Sequence, residues 1–166
     1  MTLEIVNWSD SLRKKWDNFV FENPYGNIFQ TSDMIDVYST QKALRAHTCL
    51  VINKENQEIC AGMISLLSTE KSGILSGIST RAIIEGGPIF QPTQIGYQAV
   101  PLLVNDFDHY VAKKALYGEI WNLFTVPELS PTLMGTGYEW IDHLNFFIDL
   151  NRSVDEIYAT FSKSRR

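Results

Sequence analysis

The residues best placed to do chemistry lie in Arg81-Ala82-Ile83-Ile84-Glu85-Gly86-Gly87-Pro88-Ile89-Phe90. An apolar run carries one carboxylate, Glu85, into a bend of two glycines and a proline, which are strong punctuators of regular structure. A carboxylate at such a bend can bind an amine or accept its proton, or it can stand as a solvated loop residue. Glu85 is the only candidate catalytic group. Serines are plentiful, but no G-x-S-x-G elbow holds one. His47, His109 and His143 have no spacing that implies joint work. Two cysteines, Cys49 and Cys60, with three histidines suggest no zinc set, so no metal site is expected. They are read instead as reduced, buried small residues, possible cross-strand neighbours on one hairpin. No P-loop and no G-x-G-x-x-G is present.

The elements around the bend read as strand, helix, strand. The apolar run enters it, a helical segment follows, and Gly118–Val126 reads as a second buried strand. Such a unit makes a right-handed crossover between parallel strands, with the bend at a strand's carboxyl end. Pro101 interrupts the helical pattern, so the helix either starts near it or kinks there. Leu103, Phe107, Tyr110 and Val111 give the apolar stripe, and Gly118 suits the C-terminal cap.

Earlier in the chain, Leu3-Glu4-Ile5-Val6 reads as a strand. Leu12, Trp16, Phe19 and Val20 form the stripe of a helix that Ser9 or Asp10 can cap. Thr31 is a plausible cap for a short helix bearing Met34, Val37 and Tyr38. His47–Ile52 and Ile59–Leu67 read as a hairpin, with Gly62 either a bulge or a small residue under a helix. Ser68–Thr80 is a polar turn. Later, Leu144, Phe146, Ile148 and Leu150 alternate as in a strand. Ser153-Val154-Asp155-Glu156 is a capping box opening a helix whose Val154, Ile157, Tyr158 and Phe161 face inward.

The chain has 166 residues, 45% hydrophobic and 20% charged, with a formal net charge of −5. That suits one soluble domain with a real core. It argues against a wholly basic nucleic-acid-binding surface, though not against a local patch. No membrane-spanning run or signal-peptide pattern is present, so a cytoplasmic protein is expected.

The I-I-E-G-G-P-I stretch, the helix and I-W-N-L resemble the first lobe of the FemAB-type transferases, tandem acetyltransferase-like (GNAT-like) proteins. W-D-N-F-V, N-I-F-Q-T, H-L-N-F-F-I-D-L-N-R-S-V-D-E-I and the terminal F-S-K-S-R-R fit in order. The resemblance implies an α/β, GNAT-like lobe over residues 1–166, a mixed sheet flanked by helices, forming the N-terminal half of a two-lobed protein. It implies transfer of an acyl or aminoacyl group to an amine, such as that of a peptidoglycan or other cell-envelope precursor. The donor would be aminoacyl-tRNA or acyl-CoA. It also implies that Phe29, Gln30, Arg81, Gly86, Gly87, Lys163, Arg165 and Arg166 bind substrate, the terminal basic residues meeting phosphate or acceptor. Glu85-Gly86 stands where the family commonly has a basic residue. The Q/R-x-x-G-x-G/A turn with which ordinary acetyltransferases hold coenzyme A is absent. Lone-chain turnover of acetyl-CoA is therefore not expected, and self-association or a missing second lobe is. The alternatives are a noncatalytic binding module and a small-molecule N-acetyltransferase.

Overall fold

A computed structural model describes residues 2–70 and 79–161. In chain order these form β1 (Leu3–Asn7), a 3-10 turn (Asp10–Leu12), α1 (Arg13–Glu22), a second 3-10 turn (Ile28–Gln30) and α2 (Ser32–Ser39). Next come β2 (Leu44–Asn53), β3 (Ile59–Thr69), β4 (Thr80–Glu85), β5 (Ile89–Phe90) and α3 (Gln94–Val111). β6 (Gly118–Trp121), α4 (Leu129–Gly135) and α5 (Val154–Thr160) complete the described chain. The strands make one mixed sheet in the order β1-β2-β3-β4-β6, with β5 added to β3. Every pairing is antiparallel except β4 with β6, the expected parallel pair joined through α3.

The near-continuous apolar runs of β2 and β3 follow from burial on both faces. Cys49 and Val51 face the same cluster as Leu103 and Phe107 of α3. Leu50 and Ile52 face Trp16 and Val20 of α1. α2 covers Ile64 and Leu66 with Tyr38. The predicted α1 stripe is therefore correct. Gly62 is the small residue under this helix: a Cβ there would fall 2.4 Å from Trp16 Cζ3. The bulge lies elsewhere in the hairpin, since the register passes from Val51↔Ala61 to Ile52↔Ile59 and skips Cys60. Cys49 pairs with Met63, so the cysteines are not cross-strand partners; both are free and buried.

α3 neither starts at Pro101 nor is capped by Gly118. It begins at Gln94, where the Thr93 side chain accepts from Gly96 N at 3.4 Å, and it carries Pro101 within its length. The proline's missing hydrogen bond is offset by packing, since Ala99, Leu103, Val104 and Phe107 are completely buried. The C-cap is Ala112, and Gly118 opens β6 beneath the Phe107 ring.

β6 ends at Trp121 rather than Val126, because β4 turns away after Glu85 and leaves it no ladder partner. The expected strand at Leu144–Leu150 is irregular chain that pairs with no strand among the described residues. A strand pattern needs an edge to pair with, and here Leu144 is 81% and Phe146 91% exposed. Asn145 ties the segment to the carbonyls of Asn122 and Leu123, and Phe147 stacks on Phe124. α5 has the expected capping box, but Val154 and Tyr158 are exposed rather than inward. Among the described residues no helix is long and apolar enough to cross a membrane.

Candidate functional site

The parallel ladder runs from Ala82↔Gly118 to Glu85↔Trp121 and then forks. Gly86 at φ +81° and Gly87 at φ +73° take left-handed conformations that L side chains rarely adopt. They deflect the chain so that β5 joins β3 instead of extending β4. Each glycine also makes room for an asparagine. A Cβ at Gly86 would fall 2.2 Å from Asn27 Oδ1, and one at Gly87 would fall 2.3 Å from Asn122 Oδ1. Asn27 Nδ2 donates to the carbonyls of Tyr25 and Gly86, both at 3.2 Å. Its Oδ1 is buried without a hydrogen-bond partner.

The fork interrupts hydrogen bonding on β3 as well. β4 pairs with β3 at Leu66–Thr69 and β5 at Ala61–Gly62, which leaves Ile64 between two ladders. Gln30 fills the gap. Its Oε1 accepts from Ile64 N at 2.8 Å and its Nε2 donates to Glu85 O at 2.6 Å. Its own carbonyl accepts from Trp16 Nε1 at 2.7 Å. Gln30 is completely buried, so the structure gives it a positioning role rather than the expected contact with substrate.

Glu85 lies half-buried at the fork, and its Oε2 accepts from the Tyr38 hydroxyl at 2.9 Å. Burial, followed by the Glu85 hydrogen bond and charge, pushes the Tyr38 hydroxyl well above its ordinary range, so it remains a donor. Glu85 Oε1 forms no hydrogen bond among the described residues. The carboxylate is thus oriented through one oxygen and can offer the other. α2, which supplies Tyr38, is fixed at its start from α1. Asp17 accepts from Ser32 N at 2.8 Å and from Ser32 Oγ at 2.5 Å, the capping role expected of Thr31.

The remaining expected binders are scattered. Phe29 is half-buried in the turn that delivers Gln30. Arg81 lies at the far end of β4, facing Glu119 at 3.9 Å, and is not at the fork. Lys163, Arg165 and Arg166 fall outside the described residues, as does most of the predicted Ser68–Thr80 turn. Tyr38, Asn27 and Asn122 were not among the predicted binders. The two asparagines do sit inside N-I-F-Q-T and I-W-N-L, but nothing in their spacing reveals that they meet the glycines.

An open pocket of about 530 Å³ lies elsewhere, against the first turns of α3, lined by Thr2, Leu3, Gln94, Ile95, Gln98 and Leu102. None of these wall residues is ionisable. The amino end of α3 is also partly taken up by its own loop. Thr93 occupies Gly96 N, and a Cβ on Gly96 would fall 2.0 Å from the Gln91 carbonyl oxygen. Pro92 supplies no N–H. A helix start of this kind offers an anion fewer free donors than a glycine-rich turn does. One group not foreseen in the sequence could hold a metal: His47, Cys49 and Asp106 bring their ligand atoms within 4.8 Å of one another.

No protein-family model matches the sequence, and no curated protein does. Solved structures do match. An acetyltransferase of Trypanosoma brucei has a TM-score of 0.61 at 12% identity, over 90% of this chain and 100% of that one. The aminoglycoside 6'-N-acetyltransferase of Acinetobacter baumannii has a TM-score of 0.59 at 14% identity, over 89% and 98%. Glucosamine-6-phosphate N-acetyltransferase of Arabidopsis thaliana has a TM-score of 0.56 at 13% identity, over 90% and 100%. The chain has the fold of the GNAT acetyltransferases, as the family resemblance implied.

Proposed function

We propose that this chain is an acyltransferase lobe that passes an acyl or aminoacyl group to an amine held at the β4/β6 fork. The observation that carries the reading is Glu85, oriented by Tyr38 with one oxygen uncommitted, at the carboxyl end of a parallel pair. Ligands favour that position in α/β sheets. In the proposed step Glu85 binds the acceptor ammonium and takes its proton, and the free amine attacks the donor carbonyl. The tetrahedral intermediate collapses to the amide as the C–O bond to the tRNA (or the C–S bond to coenzyme A) breaks, the leaving oxygen or sulfur taking up the proton that the attacking nitrogen loses. Asn122 follows Trp121, the ladder partner of Glu85, and turns its Oδ1 toward Gly87; its Nδ2 is the donor proposed for the oxyanion that develops.

The finer reading follows the resemblance to FemAB-type enzymes. The donor is aminoacyl-tRNA, the acceptor is the amine of a peptidoglycan precursor or related cell-envelope molecule, and Lys163, Arg165 and Arg166 meet phosphate. The partly filled amino end of α3 supports this donor over acyl-CoA. A second reading, a small-molecule N-acetyltransferase, is favoured by the near-complete coverage of single acetyltransferase chains. One experiment separates them. The chain is offered radiolabelled aminoacyl-tRNA or acetyl-CoA with a lysine-bearing muropeptide, a polyamine or an aminosugar. Label leaving aminoacyl-tRNA for the muropeptide, lost in Glu85→Gln, is the expected result. Coenzyme A release that depends on Glu85 establishes the second reading. A folded chain that transfers from neither donor is a noncatalytic binding module.

A further inference from the structure

We propose that His47, Cys49 and Asp106 form a binding site for a thiophilic divalent cation, zinc above all, which pins α3 to β2. Residues 47 and 49 lie two apart on β2 and so share a face of the strand. Asp106 comes down onto that face from α3. The ligand atoms lie within 4.8 Å of one another, and His47 Nε2 stands 3.5 Å from Asp106 Oδ2. Ligands held at about 2.0–2.3 Å around a tetrahedral zinc are about 3.3–3.8 Å apart, so small side-chain movements close the set.

His47 Nε2 is buried and has no hydrogen-bond partner among the described residues. Cys49 is completely buried. Imidazole nitrogen, thiolate sulfur and carboxylate oxygen are the donor types zinc takes, and a bound dication favours the thiolate form of a cysteine. The charges also balance. Thiolate and carboxylate together cancel a dication, so the loaded site places no net charge in the core. The His47 ring is fixed in place by stacking on Tyr110, 3.7 Å between centroids at 8°. Lys114 Nζ lies over the Tyr110 ring, 3.3 Å from its centroid, and helps to hold that ring in place. Asp106 remains 30% exposed, which leaves a path for the ion and a water in the fourth position. Sulfur and imidazole select zinc over magnesium or calcium.

The test uses cobalt(II) as a spectroscopic stand-in for zinc, on the full chain stripped with chelator under a non-thiol reductant. One equivalent should produce thiolate-to-cobalt charge-transfer absorption in the near ultraviolet, and zinc should abolish it. Zinc should also raise the thermal midpoint. Cys49→Ser and Asp106→Asn should lose the absorption, and Cys60→Ser should keep it. Absence of the absorption in the folded wild-type chain overturns the proposal whether or not the variants fold. Absorption that survives in Cys49→Ser, or vanishes in Cys60→Ser, means adventitious binding only and overturns it too.

Discussion

Replacing Gln30 by methionine tests whether one side chain substitutes for the missing ladder at the fork. Methionine keeps the volume and flexibility of glutamine, so the cavity contribution is small. It removes both polar partners of the gap, leaving Ile64 N–H and Glu85 C=O unsatisfied in a region where Gln30 itself has no exposure. An orphaned buried group costs about 1–3 kcal/mol, so two predict a loss of about 2–6 kcal/mol. With a urea m-value of about 2 kcal/mol/M the midpoint falls by about 1–3 M. Gln91→Met is the control. Gln91 donates one partly buried bond, to Ile59 O at 2.9 Å, and its loss should cost about 1 kcal/mol. The readout is equilibrium urea unfolding followed by tryptophan fluorescence and circular dichroism. A Gln30→Met midpoint within that of the control, at unchanged m, refutes the idea that Gln30 holds the fork together.

Gly62→Ala should destabilise by about 1–3 kcal/mol through overpacking against Trp16, read from the same unfolding curves. Unfolded, unreduced protein should release both thiols to a disulfide reagent, whereas native Cys49 should react slowly because burial keeps it protonated; a titration finding no thiols contradicts this. His47 is held below its ordinary pKa, so in metal-free protein the unfolded chain takes up a proton first as pH falls through about 6.5. Stability should therefore drop below that pH, and His47→Gln should flatten the drop. Leu144, Phe146, Ile148 and Leu150 are exposed, and a second copy is the proposed cover for these apolar side chains. Light scattering behind a sizing column should show association that rises with concentration, and a monomer at high micromolar concentration opposes it.

Much of the fold was legible because its signals are local. The α1 stripe, the β2/β3 hairpin and the strand–helix–strand crossover each follow from periodicity and punctuation. The errors came where a partner decides the outcome. Leu144–Leu150 alternates like any half-buried strand, and alternation carries no information about whether an edge awaits it. Gly118 looks like a helix cap because glycine suits both a cap and a close approach to Phe107. The position of Glu85 and the two glycines at a bend that ends a strand was legible from punctuation. The role of Gln30 was not, since its bonds reach residues far along the chain. His47 and Cys49 share a face by simple alternation, but Asp106 joins them only through the packing of α3.

The fork also sets an order of assembly. β2 and β3 meet across a turn of residues 54–58, a short closure that forms readily. β4 and β6 meet over only four residue pairs, and only after α3 and both flanking loops have been drawn across the sheet. Non-local pairs of this kind come late in folding, because the entropy of closing the chain is spent before they stabilise anything. The groups that Glu85 and Asn122 bring together are therefore among the last to meet, on a scaffold already built by the hairpin. In the native ensemble the same asymmetry runs backwards: β6 can part from β4 while the hairpin stays closed, so the site opens in a partial unfolding step of low cost.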